Sequence, residues 1–207
     1  MIDLTLLAVF IPTFLFVSAT PGMCMTLSMT MGMTIGVRRT LWMMAGELVG
    51  VGLVALSAVI GVAAIMLNYP AIFSIFKYVG GGYLIFIGVQ MWQSRGKMAV
   101  SDSPTQSQGA SRKALATQGF ITAVANPKGW AFFISLLPPF INPSLPMISQ
   151  LAVLIAMILF IEFLCLVAYA SGGRTLRTFL QKRGNVRLMN RIAGSLMIGV
   201  GIWLAIG

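Results

Sequence analysis

An all-α membrane protein is the fold class this sequence predicts: six transmembrane helices arranged as two inverted three-helix repeats with broken first helices. Three observations predict it. Hydrophobic residues make up 58% of the 207-residue chain and charged residues only 9%, far below the roughly one quarter usual in soluble domains. The mean hydropathy is +0.93 and long apolar runs recur, so the outer surface must face hydrocarbon. Two short breakers, Pro21-Gly22 and Asn126-Pro127-Lys128, interrupt these runs at matching places in the two halves. Hydrocarbon tolerates freed backbone groups only where protein or a wet cavity receives them. Paired breaks in two repeats therefore point to a transport site near the bilayer midplane.

Six hydrophobic units follow in order, near residues 4–36, 41–67, 71–93, 114–138, 146–171 and 189–206. The first would be about 50 Å long as a straight helix, too long for one span and too short for two. It reads as a single span broken at Pro21-Gly22 and resumed at Met23. Its start, Met1-Ile2-Asp3-Leu4, lacks the positive stretch of a signal peptide, so the unit is expected to be retained. Gly32-x-x-x-Gly36 at the end of this unit and Gly46-x-x-x-Gly50 in the second permit close helix approach. That spacing serves internal packing or a homodimer, and internal packing is the expectation. The third unit closes on Gly88-Val89-Gln90-Met91-Trp92, which resembles Gly199-Val200-Gly201-Ile202-Trp203 in the sixth. The Ser, Gln, Gly and Pro residues after it read as a flexible linker, dividing the chain into a first repeat (1–93), a linker (94–113) and a second repeat (114–207). The fourth unit breaks at Asn126-Pro127, and Pro138-Pro139 with Pro143 through Pro146 form a stiff turn before the fifth.

Charge sets the orientation. With the first unit crossing once, Arg38, Arg39, Arg95, Lys97, Arg112, Lys113, Arg174, Arg177, Lys182, Arg183, Arg187 and Arg191 fall on one side, and the other has only Lys77. The rich side is then cytoplasmic, both termini face outward, and the membrane is the cell inner membrane. Three spans per half force the second repeat to enter from the opposite side, which makes the repeat inverted. A net charge of +10 would suggest nucleic acid in a soluble chain, but here the charges sit in connecting loops, and no nucleic-acid partner is expected.

The acidic residues are Asp3, Glu47, Asp102 and Glu162, and there is no histidine, so any proton carrier must be a carboxylate. Glu162 lies about 18 Å along a helix from Arg174, near mid-bilayer, where an ionisable group marks a functional site by default. Its alternative is a neutral helix–helix hydrogen bond. Glu47 is about 12 Å from Arg39 and shallower; it lines the pathway, or it is solvated at the cytoplasmic mouth or paired with a basic residue. Lys128, about 22 Å along its unit from Lys113, cannot readily snorkel to the surface, so it balances a carboxylate or lines the pathway. Asn126 and Pro127 suit the cap and first turn of a half-helix whose amide groups face a cavity, and a substrate carboxylate would fit there.

Met23, Cys24, Met25, Met29, Met31 and Met33 raise an alternative, a soft-metal (copper) transporter or channel using residues 23–33. Methionine is also an adaptable core filler, there are 15 along the chain, and neither Cys-x-x-Cys nor histidine accompanies the cluster. No resident metal or other cofactor is expected. Cys24 and Cys165 lie in apolar segments and read as small buried residues. An intramembrane hydrolase would need a nucleophile–base constellation that the missing histidine makes hard to build, and no nucleotide-binding motif is present, so the chain is not expected to be an enzyme.

The stretch from Gly119 through Asn126-Pro127-Lys128-Gly129-Trp130 to Leu137-Pro138-Pro139-Phe140 resembles the LysE/RhtB family of amino-acid exporters. The resemblance extends to Ala19-Thr20-Pro21-Gly22, Gly80-Gly81-Gly82-Tyr83, Glu162 and Gly194-Ser195-Leu196, and so covers the whole chain. It implies efflux of amino acids or close derivatives driven by the proton gradient. Two positions depart from the family pattern. The usual Pro-Gly-Pro is Pro21-Gly22-Met23, and the second-helix acid of many relatives is Val51, with Glu47 one turn earlier. The resulting expectation is a proton antiporter in which Pro21, Gly22, Met23, Asn126, Pro127 and Lys128 bind a small zwitterion, and Glu162 with Glu47 carries the coupling proton.

Overall fold

The computed structural model describes residues 4–68, 70–93, 109–137, 140–142 and 145–206. Most of the expected linker, residues 94–108, lies outside the described residues, as do Pro138, Pro139, Pro143 and the acids Asp3 and Asp102. The described residues form helices α1 (Leu4–Ala19), α2 (Met23–Ile35), α3 (Val37–Asn68), α4 (Pro70–Gln93), α5 (Arg112–Val124), α6 (Pro127–Leu136), α7 (Met147–Gln181) and α8 (Arg183–Ile206), and no strand. Val37–Gly61 and Met147–Gly173 are each long and apolar enough to cross a membrane, and α1 with α2 makes a third candidate span bent by 56°.

Both expected breaks are present. α1 stops before Pro21, which has no N–H to continue the ladder, and α2 restarts after Gly22 in an extended conformation. At the second break the Asn126 side chain accepts a hydrogen bond from the Lys128 amide at 3.1 Å, with Pro127 at the first helical position. That is the capping chemistry the sequence predicts. α2 gives way to α3 through Gly36, whose φ of 79° suits a residue without a side chain. α7 bends at Gly173, with φ 43°, where its apolar stretch ends and its basic tail begins.

Glycines set the helix contacts. A Cβ on Gly46 would run into the Ala116 carbonyl, and one on Gly119 into the Met43 carbonyl, so α3 and α5 touch backbone to backbone. Gly32 meets Ala170 in the same way, and the Ser28 hydroxyl donates to the Leu166 carbonyl at 2.8 Å. Contacts at 28–166 and 32–170 mean that α2 and α7 run parallel. α4 and α8 run antiparallel, because Gly88 lies against Gly194 and Gly81 against Gly201. Gly32, Gly46 and Gly50 thus serve internal packing, whereas nothing crowds Gly36.

An aromatic cluster joins α1, α6 and α8. Phe14 lies 5.4 Å from Phe132 and 6.2 Å from Phe133, and Phe10 lies 5.1 Å from Phe140, which in turn contacts Trp203 at 6.0 Å. At the other end, Arg39 donates to the Ala110 carbonyl at 2.8 Å, Arg112 stacks over Trp42, and Arg191 stacks over Trp92.

Candidate functional site

The broken pairs bring their half-helix ends together against α3 and α7, and a cavity lies between them. Its wall includes Ser18, Thr20, Gly22 and Cys24 from the first break, Asn126 and Lys128 from the second, Glu47 and Val51 from α3, and Glu162 from α7. Five of the expected site residues therefore converge: Gly22, Glu47, Asn126, Lys128 and Glu162. Pro21 and Pro127 line a neighbouring pocket that shares Thr20 and Lys128 with this one. Met23 is half-buried and lines neither. Val51, the position where the resemblance suggests an acid, forms an apolar wall beside Glu47.

Glu162 is buried and accepts a hydrogen bond on Oε2 from the Ser18 hydroxyl, which ties α7 to the last turn of α1. Glu47 is fully buried, and neither carboxylate oxygen has a hydrogen-bond partner. It sits within electrostatic reach of Glu162 and Cys24. The shallow, solvated placement considered for Glu47 is not what the structure has, because the backbone contact of Gly46 and Gly119 presses this turn of α3 into the interior. A buried carboxylate without partners is costly, so this cavity is where a compensating proton, water or cation belongs.

Lys128 is half-buried at the start of α6. Its ammonium donates to the Val17 carbonyl at 2.8 Å and more distantly to the Thr20 carbonyl at 3.5 Å. The Tyr169 hydroxyl donates to the Ala19 carbonyl at 2.7 Å. The last carbonyls of α1, which have no partners within the helix, are thus met by side chains of α6 and α7. Asn126 completes the ring, its amide donating to the Cys24 sulfur at 3.6 Å.

Sequence reasoning missed Ser18, Cys24 and Tyr169 as parts of this site. Ser18 was detectable as a hydroxyl one turn before a break, whereas Cys24 and Tyr169 are ordinary apolar-segment residues until the fold places them. Met29 and Met31 are fully buried core residues, Met25 is buried and lines the cavity, and Met33 is half-buried. Among the described residues no group of three or more His, Cys, Asp or Glu could hold a metal ion.

Residues 15–207 match the family model described as LysE type translocator. The chain is similar to the homoserine/homoserine lactone efflux protein of Salmonella typhimurium, with 27% identity over 91% of this chain and 90% of that one. It is similar to the leucine efflux protein of Klebsiella pneumoniae, with 22% identity over 92% and 90%. An uncharacterised membrane protein of Pseudomonas aeruginosa is 30% identical over 94% and 87%. No solved structure matches the chain, and nothing in these relatives supports the soft-metal alternative.

Proposed function

The chain belongs to the LysE type translocator family, and from that premise we propose that it is a secondary exporter moving a small zwitterionic amino acid or derivative out of the cell in exchange for protons. The observation that carries this reading is the convergence of two carboxylates, one ammonium and both helix breaks on a single cavity. With both acids ionised, Glu47, Glu162 and Lys128 leave one negative charge uncompensated. A proton on Glu162 cancels that charge, whereas a zwitterion, neutral overall, does not. The substrate ammonium pairs with the same carboxylate, so proton and substrate compete for Glu162, and that competition couples the two fluxes in opposite directions. The substrate carboxylate pairs with Lys128 beside the capped start of α6, where the helix dipole adds partial positive charge. The unpartnered oxygens of Glu47 offer a second anchor for the substrate ammonium.

Six spans in two inverted repeats are part of this reading. In such a topology the second span and the fourth run parallel, the first and the fifth run parallel, and the third and sixth run antiparallel. Contacts of Gly46 with Ala116 and Gly50 with Phe120, of Ser28 with Leu166 and Gly32 with Ala170, and of Gly88 with Gly194 and Gly81 with Gly201 run in those directions. The basic loops then face the cytoplasm, and the site alternates between the two sides of the inner membrane.

Efflux from proteoliposomes loaded with radiolabelled homoserine or leucine tests the proposal. Acidifying the external medium should accelerate loss of at least one of them. An efflux rate indifferent to the proton gradient for both would refute proton antiport of these substrates.

A further inference from the structure

Beyond Lys128 from the inner cavity lies the second pocket, between the α4–α8 pair and the two breaks. Its wall holds Tyr83 and Gln90 of α4, Asn190 of α8, and both prolines, Pro21 and Pro127. Lys128 and Thr20 belong to both pockets, so the ammonium stands at the wall between them. The contact of Gly88 with Gly194 places the last turns of α4 beside the first turns of α8. Gln90 and Asn190 therefore sit toward the basic end, next to Arg191 on its Trp92 platform.

The opposite end of the inner cavity is walled by Phe14, Phe132 and Phe133, backed by Phe10 and Phe140. One end is aromatic and close-packed, and the other has an amide and a phenol along an apolar helix. Tyr83 and Gln90 fall seven residues apart on one stripe of α4, separate from the Gly81 and Gly88 stripe that packs on α8.

We propose that this pocket is the vestibule through which an amino acid reaches the inner cavity from the basic end, and that Tyr83, Gln90 and Asn190 form a subsite for a hydrogen-bonding side chain. The inference rests on the exporter reading and adds a route and a substrate class to it. Lys128 holds the carboxylate at the threshold, the ammonium points forward to Glu162 and Glu47, and the side chain trails into the vestibule. Amide groups offer both a donor and an acceptor to a hydroxyl. An aliphatic side chain of similar size strips water from Gln90 and returns no hydrogen bond. Hydroxylated amino acids are therefore favoured over aliphatic ones.

The test is counterflow of labelled homoserine and labelled leucine in proteoliposomes, for wild type, Tyr83→Phe and Gln90→Leu. Wild type should prefer homoserine, and Gln90→Leu should narrow that preference about fivefold or more through the homoserine KM, with leucine transport little changed. Gln90→Cys supplies a readout that does not need full activity. It should react with a membrane-impermeant maleimide from the basic side and be slowed about threefold or more by saturating homoserine, with half-saturation near the transport KM. Wild type, whose two cysteines are buried, is the blank. Transport of neither amino acid by wild type refutes the exporter reading for both of these substrates. Wild-type transport together with a preference for leucine, an unchanged ratio in Gln90→Leu, or Gln90→Cys labelling indifferent to homoserine overturns the vestibule and leaves the exporter standing.

Discussion

The ammonium of Lys128 donates to the carbonyl of Val17 at 2.8 Å, so the start of one half-helix holds the end of another. Val17 lies in the last turn of α1, where carbonyls lack intrahelical partners and a cation meets the negative end of the helix dipole. The same bond fixes the charge at the wall between the two pockets.

Lys128→Met keeps most of the stem and removes the charge, and should lose on both counts. Transport is expected to fall by about tenfold or more, since the charge-assisted contact proposed for the substrate carboxylate is lost. The midpoint of thermal unfolding should also drop by a few degrees, as roughly 1–2 kcal/mol of helix-end interaction disappears. Lys128→Arg should recover little transport, because a planar fork does not replace a compact ammonium. Counterflow and a detergent-solution melt measure both; undiminished transport in Lys128→Met would take the residue out of the site.

Glu162→Gln retains an acceptor for the Ser18 hydroxyl while removing titration. Proton-driven efflux should fall by about two orders of magnitude, while exchange of internal for external substrate stays measurable, since exchange needs no net proton movement. Ser18→Ala, which leaves the carboxylate in place, should cost only about two- to fivefold. Wild-type, gradient-driven efflux in Glu162→Gln would assign the proton to Glu47.

Phe14→Ala opens the aromatic end of the cavity, since Phe14 contacts both Phe132 and Phe133. Truncating a buried Phe costs about 3–5 kcal/mol of packing, and the vacated volume lies between the cavity and the end opposite the basic loops. Leak of trapped substrate with no gradient applied should rise several-fold above wild type, whereas Phe14→Leu should leak little. Tight vesicles with Phe14→Ala would mean that the closure lies elsewhere.

Gly46→Ala places a methyl group on the Ala116 backbone, with no flexible side chain to yield. Overpacking of this kind costs about 1–3 kcal/mol or more, and roughly 2–4 °C of melting temperature per kcal/mol in a chain of this size. Gly199→Ala is the matched control, because nothing lies within 4 Å of the added atom, and it should melt like wild type. Equal melting temperatures for the two variants would contradict the close α3–α5 contact.

The breaks and their capping were legible because they are local. A proline without an N–H ends a helix whatever surrounds it, and Asn126 before Pro127 caps the next one through atoms two residues apart. The carboxylates were legible by scarcity, since an acid in an apolar stretch stands out against 58% hydrophobic composition. Register between helices was not legible. The sequence aligns Gly88 with Gly199, but in the packing it is Gly88 and Gly201 that play equivalent parts, each against a glycine of the facing helix, while Gly199 faces open space.

By itself, then, the sequence determined that this chain lives in lipid, where its helices break and which few polar residues the interior must accommodate. Those properties follow from the transfer cost of each segment and the dihedral limits of single residues. Only the tertiary structure decided that Lys128 serves the carbonyls of Val17 and Thr20, that Ser18 reaches Glu162 from 144 residues away, and that Glu47 is sealed inside with no hydrogen-bond partner. Such pairings depend on which faces of distant helices meet, and that is fixed by backbone contacts at glycines whose partners no local pattern specifies.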